Sequence, residues 1–172
     1  AGTDSLRQQL AAAGIPVTDR VSAEVQVLLS GFDTELTFQK LEDSCILLNR
    51  GVTWLATNPD WVCPTRYGSV PDCGSVCEML HRATGRQPRF LGKPQPEMVQ
   101  LALARTGFAP AQAVVVGDRL YTDVACGVNA GIDSIFVLSG EGVMGDNVKY
   151  RVNPTWVYRD VAQLYLAMKE NK

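Results

Sequence analysis

Short apolar segments alternate with segments of helical periodicity along the sequence, and this alternation constrains the fold more than any other feature. The apolar segments predict strands over residues 25–29, 53–57, 89–91, 113–116 and 134–138, with a last strand from Trp156. Helical spacing predicts helices over residues 6–13, 36–48, 73–83, 97–106, 122–130 and 161–168. Residues 61–72 are rich in turn formers. The order predicts an α/β fold with a parallel sheet and right-handed crossovers.

Polar side chains follow three of the predicted strands. Asp118 comes directly after the fully apolar segment 113–116, which is typical of a strand buried in a parallel sheet. Lys93 follows a second strand, and Asn58 and Asp60 follow a third. Because ligands of open α/β sheets bind beyond the carboxyl ends of the strands, these residues are candidates for one functional site.

The chemistry of these residues suits a metal and a phosphate group. Asp118 offers carboxylate oxygens to a hard cation such as Mg²⁺, and Asp123 lies at the start of the next predicted helix. Lys93, in a rigid Gly-Lys-Pro turn, suits neutralisation of a phosphoryl group. Ordinary roles stay open from spacing alone: a turn aspartate, a carboxylate that stabilises the helix dipole, and a solvated loop lysine. No Walker loop occurs, and no Gly-x-Gly-x-x-Gly dinucleotide motif follows the apolar segment 113–116.

Taken in order, several segments resemble one branch of a known superfamily. They read TWLATNPD, PTRYGSVPDCGSVCEMLHRATGRQP, GKPQPEM, AVVVGDRLYTD and GVNAGIDSIFVLSG. Together they resemble the NagD and p-nitrophenylphosphatase-type branch of the haloacid dehalogenase (HAD) superfamily over nearly the whole chain. The resemblance implies a Rossmann-like core with an inserted α/β cap. On this basis residues 1–88 are predicted to form the cap and residues 89–172 the C-terminal half of the core.

The resemblance also implies roles for the candidate residues. Lys93 matches the lysine that steadies the nucleophile and the transferring phosphoryl group, Asp118 matches a magnesium ligand, and Asp123 matches a second acidic residue that supports the metal. Asn58 and Asp60 match a loop that faces the substrate. The implied function is Mg²⁺-dependent hydrolysis of small phosphate monoesters, of the nucleotide or sugar phosphate type, through an aspartyl-phosphate intermediate.

The nucleophile of this family is the first residue of an Asp-x-Asp pair that precedes the cap. No Asp-x-Asp pair occurs here, and the comparable stretch Asp33-Thr34-Glu35 also matches a cap segment. We therefore expect that the chain begins inside a larger protein, that it needs the missing N-terminal segment as a partner, and that alone it is inactive. A non-catalytic phosphate-binding or regulatory module is the alternative function.

The charge and cysteine content of the sequence limit the classes of partner and the cellular compartment that we expect. The net charge is −2, no run of Lys or Arg exceeds two residues, and no apolar stretch is long enough to cross a bilayer. Neither nucleic acid nor a membrane is expected as a partner, and a homo-oligomer paired through the cap is left open. Five cysteines without a regular framework indicate a reduced, cytoplasmic compartment.

One cysteine-rich helix carries a competing interpretation. Cys73, Cys77 and His81 are spaced four residues apart and share one helical face, and Cys63 lies nearby in the sequence. These four side chains could form a zinc site. The alternative is a helix that packs small side chains against a sheet.

Overall fold

A computed structural model describes residues 1–170 and divides the chain into two compact units, Ala1–Gly92 and a second unit that begins at Lys93. The division falls four residues after the boundary drawn from the sequence. Assignment of the units as cap and core stays a prediction at this point. The α/β class with parallel sheets is confirmed. Among residues 1–170, no helix is long and apolar enough to cross a membrane.

A three-stranded parallel sheet lies at the centre of the first unit. Its elements are α1 (Asp4–Ala12), β1 (Val27–Ser30), α2 (Phe38–Asn49), β2 (Thr53–Ala56), β3 (Val62–Thr65), β4 (Gly68–Pro71), α3 (Cys73–Thr84) and β5 (Arg89–Phe90). The sheet has the order β1-β2-β5 with both pairs parallel. The core between the sheet and helices α2 and α3 includes Leu48, Trp54 and Leu80, each at most 3% exposed. Burial of such side chains contributes about 1.5–3 kcal/mol each.

The hairpin β3–β4 was not predicted, because residues 61–72 have the composition of a loop. Val62 pairs with Pro71 and Thr65 with Gly68 in antiparallel register. The Thr65 hydroxyl donates to the Gly68 carbonyl over 2.5 Å and closes the turn. Asp72 follows directly, and its carboxylate accepts the backbone N–H of Cys73 at the start of α3. The hairpin therefore leads into a capped helix.

A second three-stranded parallel sheet forms the second unit. Its elements are α4 (Glu97–Thr106), a 3-10 helix (Pro110–Gln112), β6 (Val114–Gly117), a π-helix (Leu120–Val124), α5 (Ala125–Ala130), β7 (Asp133–Val137), α6 (Asp146–Tyr150), β8 (Trp156–Tyr158) and α7 (Val161–Glu170). The strand order is β6-β7-β8. The predicted helix 122–130 is thus a π-helix that continues into α5, and α6 was not predicted.

Strand β6 was expected to be buried, and this expectation is wrong for part of the strand. Val114 and Val116 are 46% and 44% exposed, whereas Ile135 and Phe136 of β7 are at most 6% exposed. The reason is position: within the described residues β6 is an edge strand, and β7 has a neighbour on both sides.

Candidate functional site

Asp118 lies in the first position after β6, at the carboxyl end of the strand. The backbone N–H of Glu141 donates to Asp118 Oδ2 over 2.9 Å, and the N–H of Gly142 donates to the Asp118 carbonyl over 2.9 Å. A side chain at Gly140 would overlap the Asp118 carboxylate, so this close approach requires glycine. The Asp118 side chain is therefore fixed by the segment 140–142.

The π-helix places the Asp123 side chain at the carboxyl end of β6, the strand that Asp118 follows. Lys93 Nζ forms an ion pair with Asp123 Oδ1, and the backbone N–H of Arg119 donates to Asp123 Oδ2 over 3.2 Å. Gly117, the last residue of β6, leaves no room for a Cβ because the Asp123 side chain packs against it. Both oxygens of Asp123 are thus engaged, one by Lys93 and one by the residue that follows Asp118.

The loop that carries Lys93 is fastened to α5. The Asn129 side-chain amide donates to the Pro94 carbonyl over 2.8 Å, and the Cys126 thiol donates to the Gln95 carbonyl over 3.1 Å. Burial raises the pKa of the Cys126 thiol, which keeps its proton available for this bond. The Lys93–Pro94 peptide is cis. Lys93 itself is 46% exposed and Asp123 is 12% exposed, so the ion pair lies at the rim of the unit.

The residues of this strand end have the donor chemistry for Mg²⁺. Asp118 and Asp123 supply hard carboxylate oxygens, and Mg²⁺ in proteins is usually held by one or two carboxylates with retained waters. Oδ1 of Asp118 makes no hydrogen bond to any residue in the range 1–170, so that oxygen is open to a cation. Thr122 lies between Asp118 and Asp123 in the sequence. Its hydroxyl is buried and has no hydrogen-bond partner among the described residues.

Asn58 and Asp60 lie in the first unit, in the loop that follows β2. The Asp60 carbonyl accepts the backbone N–H of Gly74 over 2.8 Å, which fixes the loop to the first turn of α3. The Asn58 side-chain oxygen is buried and has no hydrogen-bond partner among residues 1–170. A buried acceptor without a partner is costly, which makes Asn58 a candidate for contact with a ligand.

Asp33 begins the Asp33-Thr34-Glu35 stretch, which was compared with a nucleophile pair. Its side chain is bound by neighbouring residues of the first unit. Its carboxylate is 1% exposed, lies 3.0 Å from Lys40 Nζ and accepts the backbone N–H of Glu35 over 2.9 Å. A buried carboxylate with these partners has a structural role.

The cysteine-rich helix shows a thiol pair. Cys73 Sγ lies 3.9 Å from Cys77 Sγ, and both residues are at most 2% exposed. The hydrogen bond from Cys77 lowers the pKa of the Cys73 thiol to about 6, and the same bond with burial raises the pKa of Cys77. His81 Nδ1 is bonded to the Arg86 carbonyl at 2.8 Å. Within residues 1–170, no group of three or more His, Cys, Asp or Glu side chains is arranged to hold a metal ion.

Arg119 and Glu141 were not recognised from the sequence. Arg119 Nε and Nη2 lie 2.7 Å from the two carboxylate oxygens of Glu141. Arg119 could have been noticed because it follows Asp118, but no sequence signal connects it to Glu141, which is 22 residues away.

Comparison with known proteins bears on this arrangement. The HAD-hydrolase-like family model matches residues 90–164. The structure of 4-nitrophenylphosphatase from Thermotoga maritima superposes with a TM-score of 0.85 at 38% identity, covering 95% of this chain and 62% of that chain. The chain is thus similar to hydrolases of the haloacid dehalogenase (HAD) superfamily. The predicted resemblance to the nitrophenylphosphatase-type branch is confirmed.

Two further relatives are phosphatases by name. The acid sugar phosphatase of Staphylococcus aureus is 31% identical over 160 residues, 93% of this chain and 61% of its own length. The glycerol phosphate phosphatase of Mycobacterium tuberculosis, in complex with magnesium, has a TM-score of 0.88 at 34% identity over 95% of this chain and 50% of its own. The chain therefore spans less than two thirds of the relatives that it matches.

Proposed function

We propose that the complete HAD protein that contains this chain is a Mg²⁺-dependent phosphatase of small phosphate monoesters, of the sugar phosphate type. The observation that carries the proposal is the ion pair of Lys93 with Asp123, whose second oxygen is held by the residue after Asp118. The ion pair is thus joined to the backbone of Arg119, the residue that follows Asp118 at the carboxyl end of β6. The phosphatase names of the relatives support hydrolysis of a phosphate ester.

Asp118 would hold the metal directly, and Asp123, whose two oxygens are engaged by Lys93 and the N–H of Arg119, would support the metal from beside it. Lys93 would contact the phosphoryl group. When bound, Mg²⁺ neutralises charge on the phosphoryl oxygens and orients them. The exposed ammonium of Lys93 adds a second positive charge at the same strand end, where it stabilises the charge that develops during transfer. Asp123 holds Lys93 in place through the ion pair, and the hydrogen bonds from 141 and 142 hold Asp118.

The nucleophile of the proposed reaction is an aspartate that lies outside these 172 residues, because no Asp-x-Asp pair occurs among them. Attack of that carboxylate on phosphorus would form an aspartyl phosphate, which water then hydrolyses. The first unit would act as the cap. In it, the buried Asn58 oxygen without a hydrogen-bond partner among residues 1–170 supports a substrate contact by Asn58 and, in the same loop, by Asp60.

The alternative, a phosphate-binding module without catalysis, is not favoured, since the relatives that span most of this chain are phosphatases. The two are distinguished by hydrolysis of p-nitrophenyl phosphate and a panel of sugar phosphates by the complete protein, with Mg²⁺ and with excess chelator. We expect Mg²⁺-dependent release of phosphate from the complete protein and none above background from the 172-residue chain alone. A complete protein that binds phosphate but hydrolyses no member of the panel would contradict the proposal.

A further inference from the structure

The segment 140–142 encloses Asp118 from two directions. Its backbone N–H groups reach the Asp118 side chain, through Glu141, and the Asp118 carbonyl, through Gly142, both over 2.9 Å. At Gly140 the carboxylate takes the space that a Cβ would need. The hydrogen bond to Oδ2 and the steric contact at Gly140 therefore leave the Asp118 carboxylate little freedom to rotate, and the bond to its carbonyl fixes the backbone beneath it.

The same segment is tied to the residue next to Asp118. Arg119 and Glu141 form a two-point ion pair, with both N–O distances 2.7 Å, and their side chains are 16% and 35% exposed. A planar fork of this kind fixes orientation as well as distance. Glu141 thus acts twice: its backbone N–H holds Asp118, and its carboxylate holds Arg119.

The hydrogen bond from Glu141 determines which oxygen of Asp118 can bind a cation. Oδ2 is occupied by the N–H of Glu141, whereas Oδ1 makes no hydrogen bond within residues 1–170. Asp118 would therefore offer a single oxygen. Mg²⁺ demands near-octahedral geometry, which one fixed oxygen per carboxylate satisfies better than a carboxylate free to bind with both.

We propose that Arg119 and Glu141 are positioning residues that set the affinity of Asp118 for Mg²⁺ by holding its carboxylate in the one-oxygen orientation. The inference rests on the proposed metal role of Asp118. Outer partners of this kind, when removed, typically cost 10-fold to 100-fold in metal affinity.

The test is Mg²⁺ titration of the complete protein by calorimetry, without substrate, for the wild type and Glu141→Gln. This change removes the charge and keeps the backbone N–H. We expect the dissociation constant for Mg²⁺ to rise about 10-fold or more, while turnover recovers at saturating Mg²⁺. Arg119→Lys, which keeps the charge and loses the fork, should give a smaller rise in the same direction.

Glu78→Gln is the control, because Glu78 also pairs with an arginine at 2.7 Å, Arg82, in a one-point ion pair whose arginine is 78% exposed. The melting temperature without metal should fall at least as much in Glu141→Gln as in Glu78→Gln, because the exposed one-point pair contributes less to stability, and only Glu141→Gln should lose Mg²⁺ affinity. Unchanged Mg²⁺ affinity in Glu141→Gln, or a loss equal to that in the control, overturns the inference while wild-type hydrolysis leaves the proposed function intact. A wild type without Mg²⁺-dependent hydrolysis overturns both.

Discussion

Replacement of Lys93 by methionine separates the catalytic role of this residue from its structural one. The substitution keeps most of the apolar stem and removes the ammonium that pairs with Asp123 Oδ1. Asp123 is then left with one hydrogen bond, from the backbone N–H of Arg119. Because Lys93 is 46% exposed, solvent screens the ion pair, and we expect a loss of about 1 kcal/mol in the free energy of unfolding.

The expected effect on turnover is much larger. If the ammonium stabilises charge on the transferring phosphoryl group, its removal should lower kcat by about 10²–10³, equivalent to about 2.7–4 kcal/mol. The assay is steady-state hydrolysis of p-nitrophenyl phosphate by the complete protein at saturating Mg²⁺, with urea unfolding of the same samples. Lys149→Met is the control, since Lys149 is an exposed cation of the same unit bonded only to Tyr150 among the described residues.

A double variant makes the distinction sharper. Lys93→Met with Asp123→Asn removes both charges, so the uncompensated carboxylate is gone and the stability loss should shrink. Turnover should stay low, because the lost ammonium is not replaced. If Lys93→Met keeps more than about a third of wild-type kcat, an effect far below the 10²–10³ expected for a charge stabiliser, Lys93 is a solvated loop lysine and the reasoning fails.

Two other substitutions test separate parts of the structure. Asp118→Ala in the complete protein should abolish Mg²⁺-dependent turnover, because Oδ1 would no longer be available to the metal; retained dependence on Mg²⁺ in a titration would reject the assignment. Cys73→Ser should flatten the pH dependence of stability. The pKa of Cys73 is lowered to about 6 from an ordinary 9.0, so its contribution is present above the ordinary value and lost as the pH falls through about 6. Urea midpoints from pH 6 to 8.5 should rise more steeply in the wild type than in Cys73→Ser, and parallel curves would count against a lowered pKa.

The regular elements could be predicted where local pattern and burial agree. Apolar segments ending in polar residues gave β2 and β6, and glycine stops marked the ends of α3 and α4, where Gly85 and Gly107 adopt positive φ. The hairpin was missed because Pro64 and Pro71 lie within its strands and argue against pairing. Its strands contact α3, so tertiary packing outweighs local propensity there.

Some residues of the candidate site could likewise be predicted from the sequence, and others could not. Lys93, Asp118 and Asp123 could be named because each follows a strand or begins a helix, and the order of motifs adds to that. Glu141 could not be named, since its contact with Arg119 depends on the path of the chain after β7. A contact between residues 22 positions apart leaves no periodic trace in one sequence.

The π-helix explains why two carboxylates five positions apart serve one strand end. In an α-helix that began at Asp118, residues four apart would share a face and Asp123 would turn away from the strand. The wider π-turn over Leu120–Val124 instead lets Asp123 fold back against Gly117, where it accepts the N–H of Arg119 and pairs with Lys93. Single π-turns are rare in proteins, and those that occur are often found at functional sites. A five-residue π-helix has poorer backbone hydrogen bonding than the α-helix that follows it. The contacts of Asp123 with Gly117, Arg119 and Lys93 offset this local cost. The irregular turn and the proposed metal site are therefore one feature, and substitution of Gly117 by alanine would disrupt both together.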